Sequence, residues 1–290
     1  MNYWEKVREH WLKAEAVVDR VEPAKSATMK PMLPLSLYST APIAITGLRG
    51  AGKTVLYDAL LGKVGVDYPL KGRSEDVEKH RSLIKASDGT KHRVNAIVIP
   101  GDQSTERTEA FKRDFGYNGR RPVGIIHVVC SGYNRVWESH QRQAIKAELT
   151  AVRKPVNLTE IRLTNKAKEL SDFKETCAWV KDAWGKKSGA WLIIAVAKCD
   201  LFWADQTERE ATRNYSIPDS GAESAFYTVL RDLIEYVGES NCERLAVVPV
   251  GCYGETYTFE GGITQRSTME SGQFSAVVNN FRALVGDFCA

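Results

Sequence analysis

Residues 47–54 read GLRGAGKT and match the phosphate-binding pattern GxxxxGK[ST] in full. The apolar residues 42–46 before this motif predict a short buried strand, and residues 55–61 after it predict the first turns of a helix. A glycine-rich turn between a strand and a helix N-terminus gathers backbone N–H groups that bind phosphate. The motif therefore fixes a strand-to-helix unit in the fold and predicts nucleotide binding.

Two side chains of this motif, those of Lys53 and Thr54, have predicted roles in nucleotide binding. Lys53 is expected to reach the β- and γ-phosphates, and the Thr54 hydroxyl is expected to bind Mg²⁺. The backbone of the loop is expected to surround the phosphates. The predicted nucleotide contacts of the loop are Gly47, Gly50, Ala51, Gly52, Lys53, Thr54 and Val55.

The composition is that of an ordinary globular protein, with 43% hydrophobic and 26% charged residues. The net charge of +4 does not by itself indicate a nucleic-acid-binding protein. Six scattered cysteines contain no C-x-x-C pair, which favours reduced thiols. No apolar run approaches the roughly 20 residues of a membrane span, and the N-terminus has no signal-peptide pattern. We therefore expect a cytoplasmic protein without a transmembrane segment.

Short apolar runs alternate with helical patterns along residues 41–290. This alternation predicts an α/β domain with three layers, in which a mostly parallel sheet has helices on both faces. The turn at residues 87–90 predicts an antiparallel hairpin between the first two strands that follow the loop. The predicted strands are 79–85, 93–100, 122–129, 191–197 and 245–250, and the predicted helices include 222–237 and 274–288.

Two helical regions lie outside this alternation. Residues 1–40 are read as an N-terminal amphipathic helix over 3–22 and a linker that contains prolines. We expect this helix to dock on the globular body, with a partner-binding arm as the alternative. Residues 137–186 exceed what one crossover needs, and Pro155 divides them into two helices. The second helix, over 159–184, is predicted to have one apolar face, formed by Leu163, Ala167, Leu170, Phe173, Cys177, Val180 and Trp184. We interpret them as a helical-hairpin insertion and as a candidate partner-binding surface.

Residues 197–200 read AKCD and directly follow an apolar strand. At this place the chain resembles the translation-factor and Ras-like (TRAFAC) class of P-loop GTPases, whose base-recognition motif is [NT]KxD. The resemblance implies that Asp200 accepts the N1–H and the exocyclic amine of guanine and that Lys198 packs over the base. Ala197 departs from the family's Asn or Thr, and we expect this to remove a side chain that ties the motif to the phosphate loop.

The resemblance covers most of residues 42–288 in element order. It implies a Ras-like domain that binds GTP or GDP with Mg²⁺. The family's fifth motif, a strand followed by a loop of small residues, aligns with residues 248–253. By this resemblance the backbone N–H group of Gly251 or of Cys252 is expected to contact the guanine oxygen.

The third family motif, Asp-x-x-Gly, is incomplete in this chain. Aligning residues 100–101 with the family's Pro-Gly puts Val98 where the Mg²⁺-supporting aspartate belongs. Gly101 remains as the expected sensor of the γ-phosphate. Asp102 follows it and is a displaced substitute for the missing carboxylate.

Further candidates for metal binding and catalysis are assigned by position. Ser74 lies at the approximate place of the switch threonine that binds Mg²⁺, and Thr90 is a poorer candidate. Gln103 and Asp102 are candidates to orient the attacking water. Arg49 occupies the third position of the phosphate loop, where its guanidinium is a candidate built-in arginine finger. The alternative for Arg49, which we favour slightly, is that it points to solvent or pairs with an acid.

Two functional hypotheses follow. The first is a slow GTPase switch whose residues 65–78 and 101–121 engage a protein partner in one nucleotide state. The second is a GTP-binding module with little or no hydrolysis, which Val98 and Ala197 favour. A nucleotide kinase is a distant third hypothesis because it leaves residues 198–200 unexplained. The basic residues within 71–85 favour a solvated strand face over a nucleic-acid surface, because few aromatic residues lie among them.

Overall fold

The computed structural model describes residues 3–20, 40–64, 68, 78–101, 104–115, 121–184, 190–217, 223–239, 242, 244–254 and 256–290. The predicted linker and the candidates Ser74, Asp102 and Gln103 lie outside these residues. The strands are β1 Thr40–Thr46, β2 Glu78–Lys85, β3 Lys91–Val98, β4 Gly124–Val129, β5 Trp191–Val196, β6 Arg244–Pro249, β7 Tyr257–Thr258 and β8 Thr264–Gln265. The helices are α1 Tyr3–Asp19, α2 Lys53–Leu60, α3 Thr105–Phe115, α4 Ser139–Ala151, α5 Leu158–Trp184, α6 Gln206–Ser216, α7 Ala225–Val237 and α8 Ser271–Cys289.

Six strands form the central sheet in the order β2-β3-β1-β4-β5-β6. The pairs β1–β3, β1–β4, β4–β5 and β5–β6 are parallel, and β2–β3 is antiparallel. This confirms the predicted α/β fold with a mostly parallel sheet and the predicted hairpin. Strands β4 and β5 are buried along their whole length, as expected of parallel strands covered on both faces.

Helices pack on the sheet in two groups. Helices α2 and α8 contact each other and strands at the β1–β3 side, whereas α3 and α7 both pack against α5. Several helix starts are fixed by local hydrogen bonds. The Ser224 hydroxyl accepts from the N–H of Tyr227 at the start of α7, and Glu270 and Gln273 form a capping box at the start of α8.

Helix α1 docks on the globular body, as the apolar stripe predicted. Val7, Trp11, Ala14 and Val18 are buried, and the helix contacts β6 and α8. Its C-terminal end also pairs with α6, because Arg209 lies 3.1 Å from Asp19. Since β6 is the last strand of the sheet and α1 contacts helices on both sides of it, α1 covers an otherwise open strand edge.

Helix α5, the second helix of the segment 137–186, packs into the globular body. It contacts α3, α4 and α7, and its C-terminal half buries the expected apolar residues, such as Phe173 and Val180. The predicted apolar face is wrong in the N-terminal half, where Leu163 is 48% exposed. The inward positions there are mostly polar, and their buried members include Asn165, Glu169 and Asp172.

Among the described helices, none combines the length and apolar character needed to cross a membrane.

Candidate functional site

The phosphate loop lies at the switch point of the sheet. The chain leaves β1 for β2 and β3 on one side of that strand and later adds β4, β5 and β6 on the other side. In open parallel sheets, ligands bind in the crevice at the carboxyl end of the strands where this reversal occurs. The loops after β1, β3, β4, β5 and β6 all meet at this edge, so the topology brings the predicted motifs together.

Three glycines give the loop its shape. Gly47, Gly50 and Gly52 have φ values of +132°, +77° and +106°, which side-chain-bearing residues rarely adopt. A Cβ on Gly47 would lie 2.2 Å from the carbonyl oxygen of Val128 in β4, whereas a Cβ on Gly52 would meet no atom within 4 Å. The loop therefore fits tightly against the sheet behind it and opens at Gly52, where helix α2 begins.

Lys53 folds back over the loop. Its ammonium donates to the carbonyl oxygens of Gly47 at 2.7 Å and Leu48 at 3.2 Å, and the side chain is nearly buried. Gly101 closes the loop from the β3 side: its carbonyl oxygen accepts from the N–H of Arg49, and a Cβ on it would lie 2.5 Å from the Lys53 ammonium. The structure thus places Lys53 and Gly101 side by side.

Arg49 pairs with an acid, which is the interpretation that the sequence favoured slightly. Its guanidinium donates to both Glu138 carboxylate oxygens, at 2.7 and 3.2 Å. It also lies over the ring of Trp137, 5.7 Å from the ring centroid. The built-in arginine finger therefore loses its geometric support, because Glu138 engages both ends of the guanidinium fork.

Lys198 ties the second motif to the phosphate loop. Its ammonium donates to the carbonyl oxygens of Gly50 at 2.9 Å and Tyr133 at 2.6 Å. The N–H of Arg135 also donates to the Gly50 carbonyl, at 3.1 Å. The expected loss of contact at Ala197 is thus compensated by Lys198 and by the segment that follows β4.

Asp200 lies at the start of a short 3-10 helix, Cys199–Leu201, and is 4% exposed. Its carbonyl oxygen accepts from both the N–H and the hydroxyl of Thr268, each at 2.7 Å. Burial, and then the charge of nearby Asp200, raise the pKa of the Cys252 thiol to about 12. Burial, and then the charge of Asp200, also raise the pKa of the Cys199 thiol, so Cys199 and Cys252 are both neutral thiols at physiological pH.

One cleft with a cavity volume of about 170 Å³ joins these parts. It runs from the phosphate loop at Ala51 and Gly52 to the second motif at Lys198 and Asp200. Gly251 is not among its lining residues, and it packs against Cys199 and Met269. The lining also contains residues that the sequence did not single out, namely Arg135, Leu201, Tyr253, Thr256, Tyr257 and Thr258.

The positions of these residues in the sequence could have predicted that they line the cleft. Arg135 follows the end of β4 and residues 253–258 follow the end of β6, so both belong to the same sheet edge as the motifs. Tyr257 packs edge-on against Tyr133, with ring centroids 5.4 Å apart, and its hydroxyl donates to the Asn134 carbonyl. The loops after β4 and β6 thereby form one wall of the cleft.

A buried ion pair supports the loop that carries Gly101. Arg107, which is 1% exposed, donates to the carbonyl oxygen of Pro100 at 3.2 Å and lies 2.7 Å from Asp172 and 3.4 Å from Glu175. Burial raises the pKa of Asp172, and the Arg107 charge opposes that rise. The ion pair of Arg107 thus links helices α3 and α5 to the loop that carries Gly101. Val98, at the position of the family's aspartate, supplies no carboxylate there.

His127 lies next to this pair inside the molecule. Its Nδ1 is 3.0 Å from the Thr46 hydroxyl, and its Nε2 is 3.9 Å from Asp172. Burial, followed by the charges of Arg107 and Lys53, lowers the pKa of His127 to about 3. The imidazole is therefore neutral at physiological pH.

The described residues contain no group of three His, Cys, Asp or Glu side chains suited to a metal ion. Of the predicted metal ligands, Thr54 lies in the first turn of α2 next to the phosphate loop. Thr90, the poorer candidate, lies in the turn between β2 and β3, where its hydroxyl donates to Asp88. Mg²⁺ commonly takes one or two protein ligands together with phosphate oxygens and waters. A Mg²⁺ ion here would thus be held by Thr54 and by a bound phosphate.

Models of known protein families give no match to this chain, and a search of curated proteins gives no relative.

Proposed function

We propose that the chain is a Ras-like guanine-nucleotide-binding protein that regulates a partner according to its nucleotide state. One observation carries this proposal: the phosphate loop and the Lys198–Asp200 motif line the same cleft. The N-terminus of α2 and Lys53 supply the phosphate end of the site. Asp200 supplies the base end, with Tyr253 and Tyr257 beside it.

Guanine is the base that this arrangement suits. A carboxylate at the base end of the cleft accepts two hydrogen bonds, and guanine offers N1–H and an exocyclic amine on one edge. Adenine has an unprotonated N1 and a C2–H on that edge, so its acceptor would face the carboxylate oxygens and it would offer them no donor. The strand order and the antiparallel β2 support the resemblance to the Ras-like class.

Two observations favour the second candidate function, a GTP-binding module with little or no hydrolysis. Val98 is buried and leaves no third-motif carboxylate, and the Arg49 guanidinium is held by Glu138. The intact Lys53–Thr54 pair favours the first candidate, a slow GTPase that needs bound Mg²⁺. Both candidates share the same binding site, and they differ in the rate of the chemical step.

A titration with fluorescent GDP, GTP, ATP and XTP tests the binding site. We expect tight GTP and GDP binding and weak ATP binding by the wild-type protein. In Asp200→Asn we expect the base preference to change from guanine to xanthine. Asparagine offers an amide donor that matches the C2 oxygen of xanthine, so this variant should lose GTP affinity and gain XTP affinity. Equal binding of ATP and GTP by the wild-type protein would contradict the guanine assignment.

Single-turnover hydrolysis of GTP with Mg²⁺ separates the two candidates. Wild-type protein is compared with Lys53→Ala, because Lys53 is the cation placed to stabilise charge on the transferring phosphate. A rate above that of the variant supports the slow GTPase. Equal rates of hydrolysis in the two proteins would support the second candidate, a GTP-binding module with little or no hydrolysis.

The partner is proposed to be a protein that contacts the switch segments 65–78 and 101–121 or the outer face of residues 137–186. Helix α4 buries only Ile145 and Leu149, so most of its surface is available. Pull-down with GTP-loaded and GDP-loaded protein tests this proposal. Capture that does not depend on the nucleotide would contradict regulation by nucleotide state.

A further inference from the structure

The turn that carries Asp200 is short and strained. It is the 3-10 turn Cys199–Leu201, and Lys198 before it has a φ of +57°, which non-glycine residues rarely adopt. The hydrogen bonds of a 3-10 turn are weaker than those of an α-helix, and a strained residue persists only where its surroundings hold it. A carboxylate that reads one edge of a base has to be held in place, so the position of Asp200 depends on contacts from other elements.

The segment 264–268, which comprises β8 and the three residues after it, holds this turn. The N–H and the hydroxyl of Thr268 both donate to the Asp200 carbonyl oxygen, each at 2.7 Å. The same hydroxyl oxygen accepts from the N–H of Ala204 at 3.2 Å. The side-chain amide of Gln265 donates to the Leu201 carbonyl at 3.0 Å. The segment 264–268 therefore holds two consecutive carbonyl groups of the turn.

This segment is itself anchored at both ends. Strand β8 pairs with β7, and Tyr257 of β7 lines the cleft. After the segment the chain enters α8, whose start is fixed by the capping box of Glu270 and Gln273. The hydrogen bonds of Thr268 therefore connect the Asp200 turn to the wall of the cleft and to the start of a long helix.

The loop after β6 packs on the same region. A Cβ on Gly251 would lie 3.3 Å from the sulfur atoms of both Cys199 and Met269, and Met269 directly follows Thr268 in the chain. Gly251 lies outside the cleft lining, although the resemblance to the family gave its backbone a possible contact with guanine. The support of the base end thus includes residues that follow the fifth motif by more than a turn of chain.

We propose that Thr268 is a positioning residue for base recognition, which holds the Asp200 turn so that the carboxylate meets both donors of guanine. This inference rests on the proposed function. Accepting from N1–H and from the exocyclic amine requires both carboxylate oxygens to lie close to the plane of the base. A turn that tilts keeps its negative charge near the base but loses this alignment. Thr268 therefore contributes to discrimination among bases rather than to phosphate binding.

The test compares Thr268→Val and Thr268→Ser with wild-type protein in titrations of GDP and IDP. The hypoxanthine base of IDP keeps N1–H but lacks the exocyclic amine, so the preference for GDP measures the second hydrogen bond to Asp200. Wild-type protein should prefer GDP by on the order of tenfold or more. Thr268→Val should lower this preference by about threefold or more, mainly through weaker GDP binding, whereas Thr268→Ser should keep it.

A matched control separates this effect from a loss of stability. Thr268 and Ala204 are exposed, so water replaces the lost hydrogen bonds in Thr268→Val without fixing the turn, and the nucleotide-free melting temperature should stay close to that of wild type. The exposed hydroxyl of Thr150 also donates to a backbone carbonyl, that of Lys146, at 2.8 Å, and α4 lies outside the cleft lining. Thr150→Val should bind GDP and IDP like wild type.

An unchanged preference for GDP in Thr268→Val would overturn the inference. An equal loss of GDP and IDP affinity would also overturn it, because a merely structural role predicts that result. A preference in Thr268→Ser as low as that in Thr268→Val would do the same, since serine keeps the hydroxyl. Wild-type protein that binds GDP and IDP equally would overturn the inference and leave nucleotide binding intact. Wild-type protein that binds no guanine nucleotide would contradict the proposed function itself, and the inference with it.

Discussion

Arg49 and Arg135 are neighbouring charges with different surroundings. Both guanidinium groups stack on Trp137, but Glu138 lies within hydrogen-bonding distance of Arg49, whereas Arg135 faces the cleft. A partly exposed ion pair of this kind contributes about 0.2–1 kcal/mol to stability. Its consequence here is orientation, because Glu138 holds both the Nη1 and the Nη2 end of the Arg49 guanidinium.

The first prediction concerns Arg49. Arg49→Ala should leave the GTP dissociation constant and the single-turnover rate within about threefold of wild type, because Glu138 already holds the guanidinium. Nucleotide titration and single-turnover hydrolysis measure these quantities, with Lys53→Ala as the inactive reference. A loss approaching the ~10³-fold effect of an arginine finger would show that Arg49 leaves Glu138 during the reaction.

The second prediction concerns pH and the buried His127. Its pKa is about 3 in the folded protein and about 6.5 in an unfolded chain, so the unfolded state takes up the proton first. Stability should therefore fall as the pH drops below about 6.5. Between pH 7 and pH 5, the wild-type protein should lose about 2 kcal/mol more than His127→Gln.

Urea unfolding at both pH values measures this difference. His10 also has a lowered pKa, caused mainly by burial, but it is present in both proteins and cancels in the comparison. The same loss in wild type and His127→Gln would contradict the assignment of the effect to His127.

At the scale of elements, α5 joins the sheet to the site through polar side chains. Glu169 accepts from the N–H groups of Cys130 at 2.8 Å and Gly132 at 3.3 Å, and Asn165 donates to the Gly132 carbonyl at 3.0 Å. Arg162 lies 4.1 Å from the centroid of the Tyr133 ring. These contacts shape the loop after β4, whose Tyr133 carbonyl in turn accepts from Lys198.

The third prediction follows from this arrangement. Glu169→Ala removes the acceptor of two buried N–H groups and should destabilise the protein by about 3 kcal/mol. It should also weaken nucleotide binding, because the loop beneath Lys198 loses its support. Leu163→Ala on the exposed side of α5 is the matched control and should change stability by less than about 0.5 kcal/mol. Thermal unfolding and GDP titration measure both effects.

The fourth prediction concerns α1. Trp11 is fully buried and Leu12, its neighbour, is 43% exposed. Trp11→Ala should lower the free energy of unfolding by about 3–5 kcal/mol, whereas Leu12→Ala should change it by less than about 0.5 kcal/mol. Equal effects in urea unfolding would show that α1 does not stabilise the body, and would favour the partner-binding arm.

At the scale of the whole molecule, the loops after the four strands β1, β4, β5 and β6 line one cleft, so a ligand there binds the folded state alone. The fifth prediction is that GDP at 100 times its dissociation constant stabilises the protein by about 2.7 kcal/mol, while ATP at the same concentration has little effect. Thermal unfolding with each nucleotide measures the shift. An equal shift with ATP would point to a site that recognises phosphate without the base.

Much of the fold was predictable from local pattern. The strands β1, β4, β5 and β6 are continuous apolar runs, and the hairpin of β2 and β3 follows from the turn at residues 87–90. The inner face of α5 was not predictable, because the apolar residue Leu163 faces outward while Glu169 faces inward. Glu169 is buried there because the N–H groups at the end of β4 need an acceptor, and their position is known only in three dimensions.

The sequence by itself determined the phosphate loop, its strand-to-helix setting and the Lys198–Asp200 motif, because each depends on residues adjacent in the chain. Only the tertiary structure decided that Lys198 reaches the Gly50 carbonyl, that Glu138 takes Arg49 and that Arg135 lines the cleft. Hydrogen bonds and ion pairs form over about 3 Å. Their partners here lie on different loops, and the sheet order brings those loops to a common edge.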